Sequence, residues 1–476
     1  MATMPYFVLS ANTMLSVCGL LRGSDKTVAT PAEDWTKARV DVIIPALNEA
    51  DTIILCLASV LRQTLRPRRI MLIDDGSTDG TIELARAFCQ HHGVELTAIR
   101  RRKPIGKTPT IKRQARDLDS DVEFILDGDT ILESDTYIER TVQELYQAVG
   151  IASAFGTVLP MRQKDERRAL ECREVREFLA ANPGLMSIAR PSAIHRLSQS
   201  ITNLYREVLY VFLQRCVYRG QMVFFGTTTH PVGCAVAYRR KYMKALFDYV
   251  TPILGDDLTN SEDIFIGFAM LNEGYRNVQL TDVYARTVEP EAHRLPQQVY
   301  LWSSSFFQSC YYFDPLLRSP LTALARCTSN AVMSVAPVSH LSTAGASGSG
   351  GIVTGGERRM IAEPYRQAFG RDRTSEFGRP AGWTLLLSAV EKVFFPTALL
   401  IMVILEWWTA LTAIVAAETA IGVAALSLVM KGQRLEYAAK ALAVTPIRYA
   451  LLGMEMLTIG RFITDLWLTN DRRWRK

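Results

Sequence analysis

A chain of 476 residues is too long for one ordinary hydrophobic core, so two or three units are expected. The formal net charge of +6 is mild: it suits work beside anionic lipid or on anionic substrates and gives no ground for a nucleic-acid partner. The eight cysteines form no C-x-x-C pair and no Cys/His cluster at zinc spacing, which points to a reducing compartment for most of the chain.

Pro5–Leu21 reads as a first membrane span, a signal-like anchor or a surface helix, with Arg22 and Lys26 just after it. Strands then alternate with helices. Val40–Pro45 is a buried strand, followed by a helix over Thr52–Gln63. Ile70–Ile73 is the next strand, stopped by DDGSTDG, with a helix over Thr81–His91. Leu96–Ile99, a helix over Thr108–Asp117 and the strand Phe124–Leu126 complete the series. Such alternation predicts an α/β domain with a doubly wound, mostly parallel sheet. Ligands bind such sheets beyond the carboxyl ends of the strands. Asn48–Glu49, Asp74–Asp75 and Asp127–Asp129 all fall there.

Several stretches carry candidate chemistry. FILDGDTIL (Phe124–Leu132) places Asp127 and Asp129 at a strand end, either as a polar turn or as hard oxygen ligands for a divalent cation. In RRRKPIGK (Arg100–Lys107), Gly106–Lys107 opens a helix and could hold a diphosphate, although the basic run also reads as a solvated face. It is not a P-loop, because the glycine spacing is missing. SEDIF (Ser261–Phe265) opens an amphipathic helix over Asp263–Glu273, where Asp263 is either a helix cap or a general base. Leu197–Val217 is another helix, Gly226–Tyr238 a loop followed by a strand, and Ser342–Gly356 a mobile Gly/Ser-rich loop. His230, alone in its loop, is given no role.

Toward the C-terminus, Val393–Leu405 and Trp407–Met430 are apolar enough for two spans, and Tyr449–Leu468 is a third candidate diluted by Glu455, Arg461 and Asp465. Arg22, Lys26 and a loop Lys431–Lys440 are expected on the cytoplasmic side, which puts the large middle region in the cytoplasm. Keeping the final RRWRK (472–476) there as well requires Tyr449–Leu468 to lie along the interface, or Pro320–Val338 to join the membrane.

VIIPALNE, DDGSTDG, DGD, SEDIF followed by GYR, and QQVYLW (Gln297–Trp302) occur in the order seen in inverting family-2 glycosyltransferases. The chain most resembles the membrane-embedded polysaccharide synthases of the hyaluronan, chitin and cellulose type. The resemblance implies a GT-A head with Glu49, Asp75, Lys107, Asp127 and Gln298 on the donor side. Asp75 would take the uracil or ribose, Asp127 and Asp129 the diphosphate with Mg²⁺ or Mn²⁺, Asp263 the acceptor proton, and Trp302 the acceptor sugar. The family's Q-x-x-R-W arginine falls on Leu301, so Arg294 or Lys107 is expected to supply that charge. GDD (Gly255–Asp257) rivals Asp263 as the base, and the spacing to Gly274 favours Asp263.

The resemblance implies segment 1–36 as a membrane or interface segment and linker, 37–317 as a cytoplasmic GT-A head, 318–382 as interface segments with the mobile loop, and 383–476 as transmembrane helices. It implies an inner-membrane, multi-pass enzyme that extends a polysaccharide from a nucleotide-sugar, with the lipid bilayer, a growing glycan and export proteins as partners. The alternatives are a non-processive enzyme acting on a lipid carrier and a catalytically silent nucleotide- or polymer-binding subunit.

Overall fold

A computed structural model of the protein describes residues 10–22, 33–148, 150–185, 192–254, 261–332 and 369–469. Eight strands form one sheet: β1 Val40–Ala46, β2 Arg69–Asp74, β3 Leu96–Arg100, β4 Val122–Leu126, β5 Thr130–Leu132, β6 Ile151–Pro160, β7 Ala235–Arg239 and β8 Arg276–Thr287. Their order is β3-β2-β1-β4-β7-β6-β8-β5. The first four are parallel, as the alternation predicts: Val42 lies beside Ile70 and Phe124, and Ile70 beside Leu96. β1 and β4 are covered on both faces, which is why Val42–Ile44 and Phe124–Leu126 read as apolar runs. Beyond β4 the direction changes. β7 pairs antiparallel with β4 and β6, β5 pairs antiparallel with β8, and β6 runs parallel to β8. The result is a GT-A-type mixed sheet with a helical C-terminal region.

The expected helices lie at Ile53–Leu61, Thr81–His91, Lys107–Asp117 and Glu262–Asn272. The helix expected over Leu197–Val217 runs Ala193–Phe212, passes through one π-helical turn at Leu213–Val217, and continues from Tyr218 to Phe225. Gln214, inside that turn, accepts from Val158 N–H and donates to Val158 O, tying the helix to β6. A second apolar cluster joins Ile264, Phe268 and Leu271 of the Glu262 helix to Phe306 on the helix Leu295–Tyr312 and to Leu385 on the first long apolar helix. The helix carrying Asp263 is therefore packed between the sheet and the C-terminal helices.

Among the described residues, three helices are long and apolar enough to cross a membrane: Gly382–Ile404, Trp408–Val429 and Arg434–Ile463. They display apolar side chains outward, Phe394 at 71 % and Leu428 at 69 % exposure among them. Such a surface needs a non-aqueous neighbour. Two expectations are corrected here. Arg434–Lys440 is the first part of the third long helix rather than loop, helped by the Glu436–Lys440 pair at 2.7 Å, an i,i+4 contact. The helix that contains most of Tyr449–Leu468 begins at Arg434 and continues into a π-helical turn at Thr464–Leu468. The charges that diluted it are paired: Glu455 with Lys392, and Arg461 with Asp465 at 3.8 Å. The helix Asp314–Val332 is not among these three, and residues 333–338 of the expected Pro320–Val338 segment lie outside the described residues. GDD at 255–257, the Gly/Ser-rich loop at 342–356, the start of the first segment and RRWRK lie outside the described residues.

Candidate active site

The parallel strands end on one edge of the sheet, and their following turns bring the carboxylates there together. Glu49 follows β1, and Asp127 and Asp129 follow β4. The turn at Gly128 is tight against Glu49: a Cβ at Gly128 would lie 3.1 Å from Glu49 Cγ, so only glycine passes there without displacing the acid. Thr52 donates to Glu49 Oε2 at 3.2 Å and to Gly128 O at 3.0 Å, linking the two turns. Asp129 accepts from Thr130 Oγ1 at 3.1 Å and from Thr287 Oγ1 at 3.4 Å.

These acids perturb one another. Burial pushes the Glu49 carboxyl up to about 8, with Asp129 and Asp127 adding repulsion and Thr52 opposing it. Burial also raises Asp127 to about 7, against the pull of Lys107 and with repulsion from Asp129 and Glu262. Asp129 is raised by burial as well, opposed by the hydrogen bond from Thr130. A divalent cation relieves such repulsion, and an all-oxygen donor set suits Mg²⁺ or Mn²⁺. Among the described residues no three His, Cys, Asp or Glu side chains converge as a complete metal cage. Mg²⁺ commonly takes one or two carboxylates and leaves its other positions to phosphate oxygens and water. Asp129 and Asp127, with Glu49 beside them, are the residues that would hold it.

Lys107 stands at the centre of this edge. Its Nζ lies 2.7 Å from Asp127 Oδ1, 2.7 Å from Glu262 Oε1, and 3.1 Å from Gly233 O, to which it donates. The two carboxylates hold the ammonium protonated against the effect of its burial. The resemblance implies Lys107 on the donor's diphosphate; its charge faces Asp127 and Glu262, the latter not singled out by the motifs. Asp75 is likewise engaged. It accepts from Arg101 Nη1 at 3.0 Å, Ile105 N at 3.0 Å and Gly106 N at 2.8 Å. Asp75 thus holds the basic loop that delivers Lys107, and a nucleotide reaching this carboxylate must share it with those donors.

Asp263 sits at the start of its helix, one residue beyond Glu262. Its Oδ1 accepts from Ile264 N at 2.8 Å and from the Ser261 hydroxyl, and its Oδ2 accepts from Gly233 N at 3.2 Å. A Cβ on Gly233 would meet Asp263 Cβ at 2.9 Å, so the loop can approach this acid only as glycine. Each carboxylate oxygen has two lone-pair sites, and Oδ2 spends one on Gly233. Among the described residues no other hydrogen bond reaches Oδ2, which leaves its second lone pair for a proton. His230 is buried, between the Tyr218 hydroxyl at 3.1 Å from Nε2 and Thr229 Oγ1 at 3.0 Å from Nδ1, and needs no catalytic explanation.

Gln298 and Trp302 lie on the helix Leu295–Tyr312 and meet around a residue the sequence did not single out, Arg206. Its guanidinium carbon is 4.2 Å from the Trp302 ring centroid, its Nη2 donates to Gln298 Oε1, and its Nε lies 3.4 Å from Glu289 Oε2. Glu289 adjoins Val288, whose N–H donates to Asp129 O at 3.1 Å, so this group borders the acidic edge. Arg294 is exposed and Lys107 is committed elsewhere; the buried cation beside Gln298 and Trp302 is Arg206. The only sequence signal was a lone charged pair, Arg206–Glu207, inside an otherwise apolar run.

Residues 41–247 match the family model described as Glycosyl transferase family 2. Among curated proteins, the chain is 31 % identical over 98 residues to a cholesterol galactosyltransferase of Borreliella burgdorferi, covering 21 % of this chain and 27 % of that protein. It is 42 % identical over 55 residues to a PGL/p-HBAD biosynthesis glycosyltransferase of Mycobacterium bovis, covering 12 % and 22 %. It is 30 % identical over 121 residues to the chondroitin synthase of Escherichia coli, covering 25 % and 17 %. The matched stretches therefore span little more than a quarter of these relatives' lengths at most. Among solved structures, the mannosyltransferase PcManGT from Pyrobaculum calidifontis in complex with GDP-Man and Mn²⁺ aligns at 17 % identity and a TM-score of 0.39, over 81 % of this chain and 96 % of that one.

Proposed function

We propose that this chain, whose residues 41–247 match the Glycosyl transferase family 2 model, is a membrane-associated, inverting, metal-dependent transferase that moves a sugar from a nucleotide-sugar to a growing glycan. The observation that carries the reading is Lys107, which bridges Asp127 on the donor side to Glu262 beside Asp263. One ammonium spans the distance between a diphosphate site and a base, so donor and acceptor ends share a single cleft.

The transfer is one in-line displacement. The acceptor hydroxyl oxygen forms the new bond to the anomeric carbon, and the bond from that carbon to the diphosphate oxygen breaks with its electron pair. The hydroxyl proton goes to Asp263 Oδ2. No covalent sugar–enzyme intermediate is needed, and the anomeric configuration inverts. A bound Mg²⁺ or Mn²⁺ supplies charge neutralisation for the departing diphosphate. Asp127 and Asp129 orient the diphosphate end, Asp75 holds the loop against the nucleoside, and Lys107, released from Asp127, is placed to meet the phosphate charge. Gln298 lies toward the diphosphate, and Trp302 offers a flat face for the acceptor sugar.

The three long apolar helices support a membrane location, and the charge near Arg22 and Arg434 supports a cytoplasmic head in the inner membrane. Polymer extension, with export partners for the product, draws support from the likeness to a chondroitin synthase. A lipid acceptor draws support from the likeness to a cholesterol galactosyltransferase. Product length separates the two: membranes given radiolabelled nucleotide-sugar accumulate either a polymer or a lipid bearing one added sugar. Transfer by wild-type protein that is lost in Asp129→Asn supports the enzyme. Donor binding without transfer or hydrolysis from any nucleotide-sugar identifies a silent subunit instead.

A further inference from the structure

Arg206 is poorly placed as a mere stabilising charge. It is fully buried, and taking a guanidinium out of water costs several kcal/mol unless the surroundings compensate well. Here the compensation is thin: a carboxylate at 3.4 Å, which Glu289 also shares with Tyr210, and one hydrogen bond to Gln298. Nη1 is buried with no hydrogen-bond partner among the described residues. What the guanidinium does well is hold a plane, with the Trp302 ring centroid 4.2 Å away and the Tyr205 ring 5.5 Å away.

The neighbours of both residues face the other way. Glu207, next to Arg206, accepts from the Tyr437 hydroxyl at 2.9 Å and from Lys440 Nζ at 3.0 Å on the third apolar helix. Ser303, next to Trp302, donates to Glu455 at 2.9 Å on the same helix and accepts from Lys392 at 3.2 Å. Both backbones are anchored to the apolar helices, and across the gap Arg206 meets Trp302.

We propose that Arg206 is a positioning residue for the acceptor. It fixes the Trp302 ring in the orientation a sugar stacks upon, and Glu207 and Ser303 hold that arrangement to the membrane-type helices. The inference rests on the reading of Trp302 as the acceptor face.

The test uses the full chain in detergent or native membranes, with cellotetraose and chitotetraose as acceptor probes. The variants are Arg206→Met, Arg206→Lys, Trp302→Leu and the double Arg206→Met/Trp302→Leu. A desolvated cation–π contact accounts for about 30-fold in affinity. Arg206→Met is therefore expected to raise acceptor KM about 30-fold, with nucleoside diphosphate affinity by calorimetry held within about twofold. Arg206→Lys, which keeps the charge and loses the plane, should recover only a small part. In the double variant the losses should not multiply, since the two residues act as one unit. Where Arg206→Met does not accumulate, Arg206→Met/Glu289→Gln removes the orphaned carboxylate and takes its place. A second readout is independent of turnover: the Trp302 emission, taken as the difference from Trp302→Phe, should change when Arg206 is replaced. No sugar transfer by wild-type protein together with a changed Trp302 emission defeats the proposed function and leaves the positioning intact. An unchanged acceptor KM, equal losses of donor and acceptor affinity, or an unchanged Trp302 emission overturns the positioning role.

Discussion

Replacing Asp263 by asparagine tests the assignment of the base and has a structural cost that can be worked out beforehand. The carboxylate accepts from Gly233 N–H on one oxygen and from Ile264 N–H and the Ser261 hydroxyl on the other. An amide has one oxygen and one NH₂. Turned with its oxygen toward Ile264, it sets NH₂ against Gly233 N–H; turned the other way, it abandons Ile264 N–H. Either way one buried backbone donor loses its acceptor, which costs about 1–3 kcal/mol of stability. The variant should thus fold with a lowered Tm. Turnover should fall further than stability explains, by about 10²–10⁴-fold, because the acceptor proton has no place to go. Nucleotide affinity should stay near wild type, since the donor carboxylates are untouched. The assay pairs calorimetry of nucleoside diphosphate binding with product yield from radiolabelled donor at a temperature where both proteins are folded. Near-normal product from Asp263→Asn refutes the reasoning. Should Asp257→Asn abolish product in the same experiment, the base belongs to GDD.

Gly233→Ala is expected to lower turnover with donor affinity retained, because its Cβ would sit 2.9 Å from Asp263 Cβ and displace the acid; unchanged turnover shows that the position of Asp263 does not matter. Asp75→Asn should weaken nucleotide binding and expose the 101–106 loop to protease, as Ile105 and Gly106 N–H share one carboxylate. For Glu49, the folded carboxyl near 8 lies above its ordinary 4.5, so the folded state binds the extra proton and stability falls as pH rises across that window. Glu49→Gln should therefore gain Tm over wild type most above pH 8 and least near pH 4.5, and Mn²⁺ should raise the wild-type Tm at pH 8; parallel pH slopes in thermal melts would refute the carboxylate cluster. Lys392→Met leaves Glu455 buried without its ion pair and should cost about 3–5 kcal/mol, while Lys392→Met/Glu455→Gln recovers most of it. Equal thermal stability of the single and double variants contradicts that account.

How far the sequence could be read depended on the distance over which each residue acts. Glu49, Asp127 and Asp129 were legible because parallel strands end on one edge, and each acid follows an apolar run that fixes where the strand stops. The reversal beyond β4 was not legible, since β7 joins the sheet from far along the chain, and nothing local distinguishes its AVAYR from a parallel strand. Arg434–Lys440 read as a charged loop because charge dominates a short window; its i,i+4 pairing shows only once the segment is helical. Glu455, Arg461 and Asp465 seemed to weaken the last apolar stretch, yet they are paired, Glu455 with Lys392 across helices and Arg461 with Asp465 one turn on. Arg206 was hidden most completely. Its partners Gln298 and Glu289 are remote in sequence, with Gln298 92 residues away, and no local pattern announces a buried guanidinium stacked on an indole.

The central claim is that the carboxylate edge and Asp263 together transfer a sugar with inversion. The most direct test supplies membranes carrying the full chain with a panel of α-linked nucleotide-sugars and Mn²⁺, then reads the linkage of the labelled product by NMR. The account predicts a β-linked product from at least one donor, lost in Asp129→Asn and in Asp263→Asn. An α-linked product, or undiminished transfer in both variants, contradicts it.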